Sequence, residues 1–198
     1  MSQRTSCPDA ISNSALHHWL AERVFDWSGT PVAHLQPTAF NEWLLVMRNM
    51  IKDNRYAVPF GVEGTFAPVS AEDQGAVIAA ILAEPSGHAG KTYRLSGPTD
   101  LTPPEIADVV SKVLGRKICY EKISGSQWVK EVTGQDIPYL NQHIEGIAEM
   151  HPRGLMAGTT NWIENITGRK PESVADFVEK HRAVWEDDTE RPETVRNW

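Results

Sequence analysis

Three polar residues that could transfer protons recur at a spacing of four in the first helical stretch: Ser14, His18 and Glu22. Side chains four residues apart lie on the same face of an α helix, so the three would be neighbours. Imidazole gains and loses a proton most readily near neutral pH, which makes His18 the candidate catalytic base and Ser14 its candidate partner. The alternative is an ordinary solvated helix face, because polar residues at this spacing are common on exposed helices.

A second candidate site is the segment PTAFN (37–41), which follows a predicted strand and leads into a helix. Ligands of open α/β sheets bind at the carboxyl ends of the strands, where such a segment lies. An ordinary helix cap explains Thr38, but it does not explain the amide and aromatic residues that follow. The predicted substrate-pocket residues are Asn41, Trp43 and, from the first helix, Glu22.

Other kinds of site lack their usual sequence patterns. The fourteen glycines never form the G-x-G-x-x-G turn that cradles dinucleotide phosphates, nor a P-loop. The seven histidines include no H-x-x-x-H or H-E-x-x-H pair, so no metal site is predicted. A G-x-S-x-G nucleophile turn is also missing from the sequence. The residue pattern therefore predicts neither a nucleotide cradle nor a metal centre within this chain.

Hydrophobic periodicity and capping residues place the candidates on alternating helices and strands. Thr102 caps a helix that has two prolines in its first turn and ends at Gly115. Ser70 opens another helix, whose apolar body AVIAAIL is expected to be buried on nearly every side. The predicted helices are 12–29, 40–52, 70–82, 102–115, 126–132, 137–150 and 173–185, and the predicted strands are 31–35, 91–96 and 117–123.

Composition narrows the class of protein. The 198 residues carry a net charge of −7 and contain no Lys/Arg block, so no nucleic-acid partner is predicted. No apolar run approaches the length of a membrane span, and the N-terminal residues contain no secretory signal. We therefore expect a cytoplasmic protein whose two cysteines stay reduced, with Cys119 buried in a strand.

Four segments, in this order, resemble the C-terminal portion of NmrA-like proteins, within the atypical short-chain dehydrogenase/reductase superfamily. They are SNSALHHWLAERVFDWSGTPVAHLQPTAFNEWLL, APVSAEDQGAVIAAIL, LSGPTDLTPPEIADVVSKVLGRKICYEKIS and ITGRKPESVADFVEKH. The resemblance implies part of an NAD(P)-binding Rossmann-like α/β fold, with few parallel strands and a small mixed α/β substrate lobe. We expect a flexible N-terminus over 1–11, this core over 12–185 and a charged tail over 186–198.

The resemblance also assigns roles to particular residues. His18 falls where reductases of this group often carry a catalytic lysine, and Ser14 falls where the superfamily has its tyrosine. Serine is far too weak an acid to replace a phenol, so Tyr-x-x-x-Lys chemistry is not reproduced here. By the family's pattern, the predicted cofactor-binding residues, which lie near the nicotinamide, are Pro37, Thr38 and Phe40.

The family's opening strands, glycine loop and ribose-binding acid have no counterpart in this sequence. They correspond to about the first hundred residues of a full-length member, if domain sizes are a guide. NAD(P) is therefore implied by the resemblance, but we do not expect this chain to bind it alone.

Three functions follow from these observations. The first is an NmrA-like NAD(P)-dependent oxidoreductase, of which this chain is the substrate-side portion acting on a small, partly hydrophobic molecule. The second is a non-catalytic ligand-binding or redox-regulatory module without a dinucleotide site. The third is a cofactor-independent isomerase or lyase that uses His18.

A homodimer, or another homo-oligomer, is also predicted. A parallel sheet that lacks its first strands leaves a strand edge and apolar helix faces uncovered, and both favour association. The residues expected on that exposed apolar surface are Trp19, Trp27, Leu44 and Met47.

Overall fold

Two pairs of parallel strands form the sheets of this protein, of which the computed structural model describes residues 2–186. Within that range the strands are β1 (His34–Pro37), β2 (Arg55–Val58), β3 (Thr92–Leu95) and β4 (Cys119–Lys122). Strand β1 pairs with β3, and β2 pairs with β4, both in parallel. Because the partners are not consecutive along the chain, helical crossovers join them, as expected for an α/β fold with few parallel strands.

Helices make up most of the regular structure between and after the strands. The α helices of the described residues are α1 (Asn13–Trp27), α2 (Trp43–Val46), α3 (Arg48–Lys52), α4 (Ala71–Ala83), α5 (Pro103–Leu114), α6 (Gly125–Thr133), α7 (Pro138–Met150), α8 (Trp162–Thr167), α9 (Val174–Lys180) and α10 (Ala183–Glu186). A 3₁₀ turn, His151–Arg153, follows α7 directly. None of these helices is long and apolar enough to cross a membrane.

Several helix ends lie at capping residues that the sequence contains. The hydroxyl of Ser12 accepts a hydrogen bond from the Ala15 amide and so caps α1. Thr102 and Glu105 form a reciprocal capping box at the start of α5, which satisfies amides that the helix itself leaves unpaired. Gly115 ends α5 with a left-handed φ of 68°, a conformation that costs glycine little.

Two hydrophobic clusters form the core. The larger one packs helices α2, α3, α5, α6, α7 and α9 against β2 and β4, and it includes Ile51, Val58, Ile106, Trp128 and Phe177. The smaller one lies between β1, β3, α4 and α8 and consists of Leu35, Val69, Val77, Tyr93, Leu95 and Ile163.

Three predictions of local structure and burial are wrong. The predicted helix over 40–52 is two short helices, because the backbone at Met47 (φ −87°, ψ 16°) interrupts it between α2 and α3. Helix α4 is not buried on nearly every side, since Leu82 is 74% exposed. Cys119 lies in a strand as predicted, but it is exposed, because among the described residues β4 pairs only with β2 and is mostly open to solvent.

The prediction of which apolar residues are exposed is correct for one residue and wrong for two. Trp27 at the end of α1 is 78% exposed, in agreement with the prediction. Leu44 and Met47, however, are buried in the larger cluster, because α2 and its junction with α3 pack against the core.

The N-terminal segment, predicted to be flexible, is docked on the sheet where the structure describes it. The amides of Ser2 and Arg4 donate hydrogen bonds to the carbonyls of Leu35 and Pro37 in β1, at 2.8 and 3.0 Å. The predicted tail begins at Glu186, the last residue of α10, and its remainder (187–198) lies outside the described residues. The N-terminal segment therefore forms one wall beside the carboxyl end of β1.

Candidate functional site

A cleft of about 160 Å³ opens at the carboxyl end of β1. Five parts of the chain line it: the N-terminal segment, α1, the turn after β1, α7 and the loop after the 3₁₀ turn. Its lining residues are Ser2, Gln3, Arg4, Thr5, His18, Pro37, Thr38, Ala39, Phe40, Trp43, His143, Ile147 and Met156. The cleft thus lies where ligands of open α/β sheets are expected, and it combines apolar walls with a few polar groups.

Five of the eight sequence-predicted site residues meet in this cleft: His18, Pro37, Thr38, Phe40 and Trp43. The Thr38 hydroxyl donates a hydrogen bond to the Ala67 carbonyl at 2.5 Å, so its proton is already used within the fold. Trp43 stacks on Trp128 with ring centroids 5.3 Å apart, which fixes one aromatic wall.

The other three predicted residues lie elsewhere. Ser14 does not line the cleft, although it belongs to the same helix as His18. Glu22 is buried, and its carboxylate accepts a hydrogen bond from the amide of Gln36 at 2.8 Å. The predicted helix-face trio is therefore not brought into one site, and Glu22 is not on a solvated face either.

Asn41 is the third residue outside the cleft. It lines a separate, smaller pocket of about 20 Å³, which shares Ala39, Phe40 and Trp43 with the cleft. Asn41 does not line the cleft, so a molecule held only within the cleft would not contact it.

A hydrogen-bonded pair between the cleft residue His143 and buried Ser12 behind it was not predicted from the sequence. The Oγ of Ser12 lies 2.7 Å from Nδ1 of His143 on α7. Because that oxygen accepts the Ala15 amide as the cap of α1, its own proton can be donated to Nδ1. In that arrangement the ring proton of neutral His143 is on Nε2, which can then act as a hydrogen-bond donor.

Both cleft histidines are held neutral near pH 7 by their surroundings. Burial, with a smaller contribution from His18, lowers the pKa of His143 to about 4. Burial also lowers the pKa of His18, and the nearby Glu22 carboxylate opposes that shift. Neutral imidazoles can donate or accept a hydrogen bond without placing a full charge in an apolar pocket.

Arg4 closes one side of the cleft. Its guanidinium donates hydrogen bonds to the carbonyls of Ala157 and Gly158, at 2.5 and 2.7 Å. These bonds tie the N-terminal segment to the loop that carries Met156. Sequence reasoning missed Arg4, Ser12 and His143 because they are separated from their partners by well over a hundred residues, and no local pattern connects them.

The described residues do not fit a complete dinucleotide. The cleft, at about 160 Å³, is too small for a complete dinucleotide, whose phosphates also need free amides at a helix start. The first amides of α1 are already bound, since those of Asn13, Ser14 and Ala15 donate to Gln142, Asn13 and Ser12. Within residues 2–186 there is also no group of three or more His, Cys, Asp or Glu side chains placed to hold a metal ion.

Comparison with known protein families gives a match over most of the chain. The sequence pattern of the NmrA-like family matches residues 21–183. The NAD(P)H azoreductase of Xenophilus azovorans is 29% identical over 171 residues, which are 84% of this chain and 59% of that relative. The chain therefore spans about three fifths of the length of this curated relative.

Solved structures show the same fold. A nucleoside-diphosphate-sugar epimerase from Staphylococcus aureus has a TM-score of 0.78 at 18% identity, over 90% of this chain and 62% of that chain. An NADPH-dependent quinone oxidoreductase from Escherichia coli, complexed with NADPH, has a TM-score of 0.77 at 18% identity, over 91% of this chain and 63% of that chain. At this identity the likeness establishes a Rossmann-like fold and no particular activity.

Proposed function

Because this chain belongs to the NmrA-like family, we propose that it forms the substrate side of an NAD(P)-dependent oxidoreductase. Its substrate is a small, partly hydrophobic molecule with a conjugated, reducible group. The observation that carries this proposal is the cleft, which places neutral His18 and His143 against the aromatic walls of Phe40 and Trp43. We place the protein in the cytoplasm as part of the same proposal.

The chemistry of the cleft suits an acceptor that becomes negative as it is reduced. Reduction of a carbonyl or azo group moves negative charge onto its oxygen or nitrogen. A donor that is already oriented stabilises that charge, and the Nε2–H of His143, fixed by Ser12, is such a donor. The azoreductase and the quinone oxidoreductase that resemble this chain are named for conjugated acceptors, which supports the same substrate class.

The proposal assigns only the nicotinamide end of the cofactor to this cleft. When bound, NAD(P)H supplies the hydride, and the predicted contacts of Pro37, Thr38 and Phe40 with a nicotinamide ring would lie along the cleft. The phosphates would be held by residues other than those that line the cleft.

A binding experiment tests the cleft. Methyl red, an azo dye, should quench tryptophan fluorescence of the purified chain, and His143→Gln should weaken its binding about tenfold through loss of an oriented donor. His88→Gln is the matched control, because His88 lines a different groove and not the cleft, and it should leave the affinity unchanged. Equal affinities in all three proteins, or no binding to the wild type, would contradict the proposal.

Two further measurements separate the alternatives. NADPH alone should not raise the melting temperature of the chain, whereas a clear rise would show that the chain holds the dinucleotide by itself. If methyl red binds but is not reduced when NADPH is present, the chain is a ligand-binding module. A reaction without NADPH that is lost in His18→Ala would indicate the isomerase or lyase instead.

A further inference from the structure

Asn41 carries a buried side chain that the fold leaves unpaired. The residue is 1% exposed, and neither its Oδ1 nor its Nδ2 has a hydrogen-bond partner among the described residues. Its backbone is fully used, since its amide donates to Val69 and its carbonyl accepts from Leu44. A buried carboxamide without partners costs about 1–3 kcal/mol, so an apolar residue would suit this position better unless something binds the amide.

The side chain of Asn41 lines a small cavity at the edge of the larger cluster, which we call the inner chamber. Its volume is about 20 Å³, enough for one water-sized group. Apart from Asn41, its lining is almost entirely apolar or aromatic: Ala39, Phe40, Trp43, Leu44, Met47, Tyr56, Val58, Phe60, Phe66, Pro68, Ile106 and Val174. Burial raises the pKa of Tyr56, so the one other polar residue of the chamber stays a neutral phenol.

The inner chamber adjoins the cleft. Ala39, Phe40 and Trp43 line both spaces, and each of the three is only partly buried. The two spaces therefore meet at these three residues, and a molecule in the cleft lies next to the chamber. An oxygen carried at the end of such a molecule is of the size that the chamber accepts.

We propose that the inner chamber is the polar end of the substrate site, and that Asn41 binds one carbonyl or hydroxyl oxygen of a substrate whose apolar body lies in the cleft. The inference rests on the proposed function, because it takes the cleft as the substrate site. It narrows the substrate to an aromatic or conjugated molecule with a terminal oxygen. Asn41 is then a specificity-determining residue, since a substrate without that oxygen leaves the buried carboxamide unpaired.

A matched pair of probes tests this inference. Acetophenone and ethylbenzene have nearly the same shape but differ in one carbonyl oxygen. The wild-type chain should bind acetophenone about tenfold more tightly, as measured by tryptophan fluorescence, because only the ketone satisfies Asn41. In Asn41→Leu, which keeps the branched shape of the side chain and removes both polar atoms, the two probes should bind with equal affinity.

Each outcome decides between the proposals. If methyl red binds but acetophenone and ethylbenzene bind equally in the wild type, the chamber inference fails and the cleft remains the site. If none of the three probes binds, the proposed function fails and the inference fails with it. If the inner chamber holds only a water molecule bound to Asn41, acetophenone and ethylbenzene should bind with equal affinity, and the chamber inference fails.

A second measurement covers the possibility that Asn41→Leu does not fold. The side-chain amide signals of Asn41 in a ¹⁵N-labelled wild-type chain should move when acetophenone is added and should not move with ethylbenzene. Amide signals that stay fixed at a saturating acetophenone concentration would overturn the inference.

Discussion

At the scale of the residue, Ser12 joins two functions in one hydroxyl group. It caps α1 by accepting the Ala15 amide, and it lies 2.7 Å from Nδ1 of His143 in the cleft. The stability of the first helix and the orientation of a cleft histidine therefore depend on the same oxygen. Removing it should affect both folding and binding.

Replacement of Ser12 by alanine should lower the free energy of unfolding by about 1 kcal/mol, the usual cost of losing a helix cap. It should also weaken methyl red binding several-fold, because His143 loses its orienting partner. Urea denaturation and fluorescence titration measure the two effects. Ser70→Ala is the matched control, since Ser70 caps α4 by accepting the Asp73 amide and does not line the cleft. It should reduce stability by a similar amount and leave binding unchanged.

His143 makes stability depend on pH. Its pKa in the folded protein is about 4, below the ordinary value of 6.5, because burial disfavours the charged ring. The unfolded chain therefore binds more protons between pH 4 and 6.5, and stability falls as the pH decreases through that window. The contribution of this one group is at most about 3 kcal/mol. Buried His151, whose pKa is also lowered by burial, acts in the same direction.

The pH effect is measured by urea denaturation at pH 7 and pH 4.5. In His143→Gln the difference in stability between the two pH values should shrink, while part of it persists through His151. His17→Gln replaces an exposed histidine of α1 and should leave the difference as in the wild type. Equal pH dependence in both variants would mean that His143 is not the titrating group.

At the scale of the element, the cleft depends on how closely α1 approaches α7. Gly146 of α7 lies against Ser12, and a Cβ at that position would come within 2.7 Å of the Ser12 backbone. The missing side chain permits the contact that places His143 beside Ser12. Position 146 therefore requires a glycine for steric reasons.

Substitution of Gly146 by alanine should destabilise the protein by about 1–3 kcal/mol, because backbone atoms must move apart. Methyl red binding should weaken as well, since α1 and α7 both line the cleft. Gly75→Ala provides the opposite case in α4, where an added Cβ meets nothing within 4 Å. That variant should gain about 0.5–1 kcal/mol from the better helix former. Thermal and urea denaturation of the two variants would test the contrast, and equal effects would contradict it.

At the scale of the whole molecule, α1 has an apolar surface that the described residues do not cover. Leu20, Val24, Phe25 and Trp27 are all exposed on this helix. Contiguous apolar surface of this kind is typical of sites where proteins associate. The homodimer predicted from the sequence is therefore proposed to form through α1.

Sedimentation velocity at micromolar concentration tests this association. The wild-type chain should sediment as a dimer, and Trp27→Lys should shift it to the monomer, because a charge replaces the most exposed apolar side chain of α1. Arg153→Ala, at an exposed position in the 3₁₀ turn, should leave the dimer intact. A wild-type monomer across the concentration range would rule out the proposal.

Capping and periodicity were enough to predict most of the elements, whereas the family was predicted from the resemblance of four segments in order. Thr102, Glu105 and Gly115 define α5 through bonds and backbone angles that involve only neighbouring residues. The segment 37–41 was correctly placed at a strand end, and the residues that the family resemblance assigned to the cofactor, Pro37, Thr38 and Phe40, line the cleft there. Such features depend only on neighbouring residues, so they can be predicted from the sequence without knowing how the rest of the chain folds.

The sequence by itself determined the α/β class, the helix caps and the membership of the NmrA-like family, because these follow from local chemistry and the order of segments. Only the tertiary structure decided which polar side chains share a site. His143 meets Ser12 across 131 residues, and Asn41 is enclosed by side chains from several distant elements. Helical spacing predicted that Glu22 and His18 would share a site. In the structure the Glu22 carboxylate instead accepts a hydrogen bond from Gln36 of β1 and does not line the cleft. Burial and long-range contacts arise from the packing of whole elements, and no local pattern encodes them.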